Sequence, residues 1–197
     1  MAKRDTLCVI SLLNSSDPDF QDTLSKLTSW KTISDAKVES VVEEILGRVE
    51  RDGDEALMEY TNHFDRRKCT TPDQLLLPQN QLTMALNQLG EDMREALTAA
   101  AARIRKYHEH QLEESWRFSD ADGVMLGQEI RPIERVGIYV PGGRASYPST
   151  LLMDAIPAQV AGVNEIIMVT PAPDGELNPI VLAAAALVGI DNVITIG

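Results

Sequence analysis

The sequence predicts an α/β protein: a helical front over residues 1–115, then an incomplete Rossmann-like β-α-β-α-β unit within residues 116–197. Two observations carry that reading. Charge is partitioned: residues 1–135 hold 17 basic and 25 acidic side chains, whereas residues 136–197 hold six charged residues, Arg144, Asp154, Glu165, Asp174, Glu176 and Asp191. A polar, amphipathic front is thus joined to an apolar back half, as expected where a parallel sheet is covered by helices. The back half also contains three short apolar runs, Val136–Val140, Ile166–Val169 and Asn192–Ile196, separated by stretches of helical composition. Crossovers of about a dozen residues are what parallel strands require.

The elements follow in order. Asp17-Pro18 has the pattern of an N-cap and a first helical position. Residues Asp35 to Glu50 put Val38, Val41, Val42, Ile45, Leu46 and Val49 on one stripe. Asp52-Gly53-Asp54 breaks that helix, and Glu55 to Phe64 continues it with Leu57, Tyr60 and Phe64 inward. Pro78 precedes another helical start. Glu91 to Glu114 reads as one long helix with Met93, Leu97, Ala100, Ile104 and Tyr107 on its buried face. Trp116 to Phe118, the turn Asp120-Ala121-Asp122-Gly123 and Val124 to Ile130 read as a hairpin. Pro141-Gly142-Gly143 stops the first buried strand. Pro148 to Ala161 is a helix with Pro157 inside it and Gly162 as its stop, and Asn178-Pro179 opens a helix that Gly189 ends.

Composition excludes several functions. A net charge of −12 and a pI near 4.6 disfavour a nucleic-acid binder, which needs a basic surface. No apolar run is long enough for a membrane span, and no signal-peptide core is present, so a soluble cytoplasmic protein is expected. Cys8 and Cys69 make no disulfide framework and no Cys-x-x-Cys pair. His108 and His110 lie two apart on a helix and point to different faces, so a metal pair is not expected there, and His63 stands alone. Arg66-Arg67-Lys68 reads as a solvated basic loop. No catalytic residue is assigned from these patterns.

The loop from Pro141 through Gly142, Gly143, Arg144, Ala145, Ser146 and Tyr147 to Pro148 joins a strand to a helix N-terminus. Two glycines let the backbone approach a ligand, and the helix dipole favours an anion. The dinucleotide fingerprint is nonetheless incomplete. No third glycine follows, and the second strand ends in Thr170-Pro171 without a ribose-binding acid. Residue chemistry alone leaves a phosphate or nucleotide site and a plain strand–helix turn both open.

Longer motifs are more specific. Arg135-Val136-Gly137-Ile138-Tyr139-Val140-Pro141-Gly142-Gly143, with Ser146-Tyr147-Pro148-Ser149-Thr150-Leu151-Leu152-Met153 and Ala155-Ile156-Pro157-Ala158, closely resembles the histidinol dehydrogenase family. In the front, Arg51-Asp52-Gly53-Asp54-Glu55-Ala56-Leu57, Tyr60 and Phe64-Asp65 look like that family's helical N-terminal region. The match runs from residue 35 to the end and covers the N-terminal part of a longer family chain. A longer parent is also expected because Gly197 closes the third strand where a functional loop usually follows.

The resemblance implies oxidation of L-histidinol to L-histidine with two NAD⁺, the last step of histidine biosynthesis. It also implies a bound zinc, a Glu-His acid–base pair, interlocked homodimers and a fold related to aldehyde dehydrogenases. Tyr139 matches the family's NAD-contacting tyrosine. A glutamine in a Gly-Gly-Ala-Gln segment, the zinc ligands and the Glu-His pair are expected beyond Gly197, so this chain alone is expected to be inactive. The alternatives are a stand-alone binding module on the same fold, or a related NAD-dependent alcohol or aldehyde dehydrogenase.

Overall fold

The computed structural model describes residues 13–28, 36–142 and 147–197. Cys8, Asp35 and the loop residues Gly143, Arg144, Ala145 and Ser146 lie outside the described residues. The chain divides into two compact units, Met1–Gly47 and Arg48–Gly197.

Helix α1 spans Phe20–Thr28 and α2 spans Ala36–Asp52. The expected cap is displaced by two residues. The Asp17 carbonyl accepts from Phe20 N–H in a tight turn at 3.1 Å, while Asp19 accepts the first helical bond, from Thr23 N–H at 2.9 Å. In α2 the apolar stripe exists, but Val38, Val41, Val42 and Leu46 are exposed and Ile45 and Val49 half-buried. Periodicity tells which residues share a face; it does not supply a covering surface.

Gly53, at φ 59°, makes the left-handed turn that separates α2 from α3, Asp54–Phe64. Ala56 and Thr61 are the buried residues of α3, whereas Phe64 is exposed, contrary to expectation. Phe64 instead stacks on Tyr60, one turn earlier, with centroids 6.0 Å apart. Helix α4 spans Gln79–Gln88, directly after Pro78. Helix α5, Glu91–Glu109, stops five residues before the expected end, because His110 and Gln111 N–H groups turn back onto Tyr107 and His108. Its buried residue is Leu97, flanked by half-buried Ala100, Ala101 and Ile104, while Met93 and Tyr107 face solvent.

Strands β1 (Trp116–Ser119) and β2 (Met125–Gln128) form the expected antiparallel hairpin. All eight residues are exposed. The turn is held by Asp120, whose carboxylate accepts from Asp122 and Val124 N–H, and Gly123 adopts φ 80°.

The back half is a three-stranded parallel sheet in the order β3 (Arg135–Tyr139), β4 (Glu165–Val169), β5 (Asn192–Ile194). Helix α6 (Pro148–Val160) connects the first two strands and α7 (Pro179–Leu187) the second two. Asn178 caps α7 by accepting from Ile180 N–H at 2.9 Å. Gly162 at φ 88° and Gly189 at φ 72° stop the two helices as expected. The core is continuous: Leu151, Leu152, Ala155 and Ile156 of α6 and Val181 to Ala185 of α7 meet Ile138, Val140, Met168 and Val193 from the strands. Helix α4 packs on α7 and α5 on α6, adding Leu82, Ala85 and Leu97.

Two features depart from a fully buried strand set. β3 alternates, with Ile138 buried and Gly137 and Tyr139 exposed, so one face of this edge strand is uncovered. The free edge of β5, by contrast, is occupied by the segment Leu75–Leu77. Leu77 N–H donates to the Val193 carbonyl at 2.9 Å and Thr195 N–H to the Leu75 carbonyl at 2.7 Å, around an antiparallel bridge between Leu76 and Ile194.

Candidate nucleotide site at the carboxyl edge of the sheet

In open parallel sheets, ligands sit outside the carboxyl ends of the strands. Here that edge is formed by residues 139–142 after β3, residues 170–172 after β4 and residues 195–197 after β5. Tyr139 is the last residue of β3, paired in register with Val169, and its side chain is 55% exposed. Val140 N–H donates to the Val169 carbonyl at 2.8 Å, and Val140 itself is fully buried, so the backbone carrying Tyr139 is fixed.

The loops after the strands are packed tightly around Pro171. A Cβ on Gly142 would overlap the Pro171 carbonyl oxygen and stand 3.0 Å from Thr170 Oγ1. A Cβ on Gly197 would stand 2.6 Å from Pro171 Cβ. Both glycines are therefore required by close backbone approach. Helix α6 begins beyond this loop at Pro148, with Tyr147 at its N-cap position and no side-chain cap bond. Thr150 and Leu151 N–H turn back onto the Tyr147 carbonyl at 3.1 and 3.5 Å and Pro148 has no N–H, so among the described residues Ser149 N–H is the first-turn donor left to face an external anion.

The basic run at residues 66–68 is exposed at Arg66 and Lys68, as expected from sequence, but Arg66 and the half-buried Arg67 are both tied to distant parts of the chain. Arg66 makes a two-pronged pair with Asp174, at 2.8 and 2.5 Å. Arg66 and Asp174 are also the two non-glycine residues with positive φ among those described, at 53° and 57°. The hydrogen bond from Arg66 holds the Asp174 carboxyl below its ordinary value, and the same bond raises the guanidinium. Asp65 is buried, accepts from Ala172 N–H at 3.2 Å, and offers its carbonyl to Asp174 N–H at 2.7 Å. Arg67 reaches the end of β5, donating to the Thr195 carbonyl at 2.8 Å and to the Gln74 carbonyl at 2.9 Å. Lys68 alone of the three is exposed without such an anchor. Sequence reasoning missed this because its partners lie more than 100 residues away.

The remaining singled-out residues do not converge. His108 is half-buried and bonded to Gln111 at 2.5 Å, His110 is exposed, and His63 packs edge-on against Phe64. Cys69 is half-buried, and its backbone is held by Asn62 at 2.7 and 2.8 Å. Among the described residues no group of three His, Cys, Asp or Glu side chains could hold a metal ion, and no helix is long and apolar enough to cross a membrane.

Comparison with known proteins places this geometry in context. The family model for histidinol dehydrogenase matches residues 29–197. The chain is 50% identical over 188 residues to histidinol dehydrogenase of Pseudomonas aeruginosa, covering 95% of this chain and 43% of that protein. It is 50% identical over 197 residues to that of Bordetella parapertussis, covering 100% of this chain and 45% of the relative. The crystal structure of histidinol dehydrogenase from Elizabethkingia anophelis superposes with a TM-score of 0.74 at 35% identity, covering 81% of this chain and 36% of the other. The chain thus spans less than half the length of the relatives it matches.

Proposed function

The chain belongs to the histidinol dehydrogenase family, and from that premise we propose that it is the N-terminal part of an enzyme that oxidises L-histidinol to L-histidine with two NAD⁺. In this reading residues 1–115 are the helical region, and residues 116–197 are the first part of a Rossmann-like, aldehyde-dehydrogenase-like NAD-binding domain. The enzyme works in the cytoplasm as a homodimer. The observation that carries the nucleotide assignment is Tyr139, half exposed at the carboxyl end of β3.

The residues present fit a dinucleotide. Tyr139 offers an aromatic face for the adenosine part and a hydroxyl for a polar contact. Gly142 brings the backbone close beside it. In the first turn of α6, Ser149 N–H is the group available toward a phosphate among the described residues. NAD⁺, when bound, supplies the hydride acceptor; these residues bind and orient it. They do not fit the zinc that the family implies, since no three-ligand group stands among the described residues. No step through zinc or through an acid–base pair is assigned to this chain.

Titration of the 197-residue chain with NAD⁺, beside its Tyr139→Ala variant, tests the assignment. Loss of a stacking aromatic is expected to weaken binding about tenfold or more, near 1.4 kcal/mol. Equal affinity of the two would reduce Tyr139 to a packing residue. The same chain should form no NADH from histidinol above background, and turnover by protein free of any longer enzyme would show that the acid–base groups lie within these residues.

A further inference from the structure

We propose that Arg67 is a positioning residue of the nucleotide crevice, acting through the carboxyl end of β5 without touching the ligand. The inference rests on the nucleotide reading above. Arg67 Nη1 donates to both the carbonyl and Oγ1 of Thr195, and Nη2 donates to the Gln74 carbonyl. Thr195 is 3% exposed, and its Oγ1 donates onward to the Leu75 carbonyl at 2.8 Å. One guanidinium therefore joins the loop after α3, the turn at Gln74-Leu75 and the end of β5. Among the described residues no carboxylate is paired with Arg67, in contrast to its neighbour Arg66. A half-buried cation committed to neutral acceptors fixes geometry more than it supplies charge. A planar fork can serve these separate acceptors at once, which an ammonium group cannot do.

The end of β5 matters because of what it presses on. Two residues past Thr195, Gly197 is seated against the ring of Pro171, and Gly142 against its carbonyl. Gly142 lies three residues past Tyr139. A sideways shift of β5's end would release Pro171, and with it the Gly142 backbone at the same carboxyl edge as Tyr139, whose own place is held through Val140. Closely packed contacts of this kind pass on a displacement because there is no void to absorb it. Spatial continuity is not itself coupling, so the test must measure coupling.

The experiment is NAD⁺ titration of the full 197-residue chain, with amide hydrogen exchange followed on the same samples. Arg67→Met is expected to weaken NAD⁺ binding about five- to tenfold, roughly 1–1.4 kcal/mol, and to speed exchange at the Thr195 and Leu77 amides. Arg67→Lys, which keeps the charge but not the fork, should move both readouts in the same direction and serves in place of Arg67→Met if that variant does not fold. Arg66→Met, which breaks the exposed pair with Asp174, should leave binding within about twofold of wild type. The double variant Arg67→Met/Tyr139→Ala should lose less than the two single losses combined, because Arg67 acts on the Gly142 backbone that shares the crevice with Tyr139. Faster exchange with unchanged affinity in folded Arg67→Met or Arg67→Lys would make Arg67 merely structural and overturn the inference. Additive losses in the double variant would overturn it too. No binding by the wild-type chain would instead overturn the nucleotide reading beneath it, a pattern separable from both.

Discussion

Substituting alanine for Gly142 tests the carboxyl edge most directly. The new Cβ would fall well inside 3.0 Å of the Pro171 carbonyl oxygen and at 3.0 Å from Thr170 Oγ1, itself 1% exposed. Ordinary C···O separations begin near 3.3 Å, so one backbone must retreat by roughly 1 Å. Neither can do so freely. Val140 is fully buried two residues earlier, and Thr170 N–H is bonded to the Ile194 carbonyl at 3.0 Å. Overpacking against backbone rather than against a movable side-chain tip belongs in the upper part of the usual range, about 2–3 kcal/mol. For a chain of this size that is a fall in Tm of about 4–12 °C. Gly137→Ala is the matched control, in the same strand but with nothing within 4 Å of its added Cβ. There the lower conformational freedom of alanine should leave stability unchanged or raised by up to about 1 kcal/mol. Thermal melting followed by circular dichroism reads both. A Gly142→Ala variant that melts with wild type, or a pair that shifts together, would refute the close approach at Pro171.

Two further outcomes follow from the same structure. Asn178→Ala removes the acceptor for Ile180 N–H and should cost about 1 kcal/mol in urea unfolding, while Asn178→Asp should largely restore it. Because the hydrogen bond from Arg66 holds the folded Asp174 carboxyl below the ordinary aspartate value of 3.8, the stability this pair adds is complete above that value and is lost as pH falls through the depressed one. Melting temperatures of wild type and Asp174→Asn should therefore converge toward the acid end of a pH series, and also at high salt, since both partners are more than half exposed.

The parts of the fold that were legible in the sequence are those specified locally. Val136–Val140 and Ile166–Val169 are short apolar runs closed by proline or glycine, and they are strands. Asn178-Pro179 and Gly189 bracket α7 because cap chemistry and positive φ are properties of a few adjacent atoms. What failed is what depends on distant partners. The α2 stripe of Val38, Val41, Val42 and Leu46 has the right period but is left exposed among the described residues, and Phe64 satisfies itself against Tyr60. The pairing of the exposed Arg66 and the half-burial of Arg67 were hidden because Asp174 and Thr195 are far along the chain. At the site, Gly142 could be read as a close-approach glycine, but Pro171 as the surface it approaches could not. Tyr139 was singled out through its motif alone, since spacing and composition do not distinguish it from any strand aromatic.

The cover on β5 bears on the order in which the molecule assembles. Thr195 closes onto Leu75 across a separation of 120 residues. Bringing two such points together in a flexible chain carries an entropic penalty of about 4 kcal/mol before any contact is gained, from the logarithmic dependence on loop length. Contacts this remote in sequence slow folding, so the hairpin and the first two strands can be in place while β5 still has a bare side. On a ribosome, Leu75 to Leu77 emerge long before their partner is synthesised and must wait for it. A deletion that removed the helical front up to Leu77 would leave β5 a permanent open template for strand addition. The front is thus the stopper that keeps the sheet from growing into a neighbouring molecule on its β5 side.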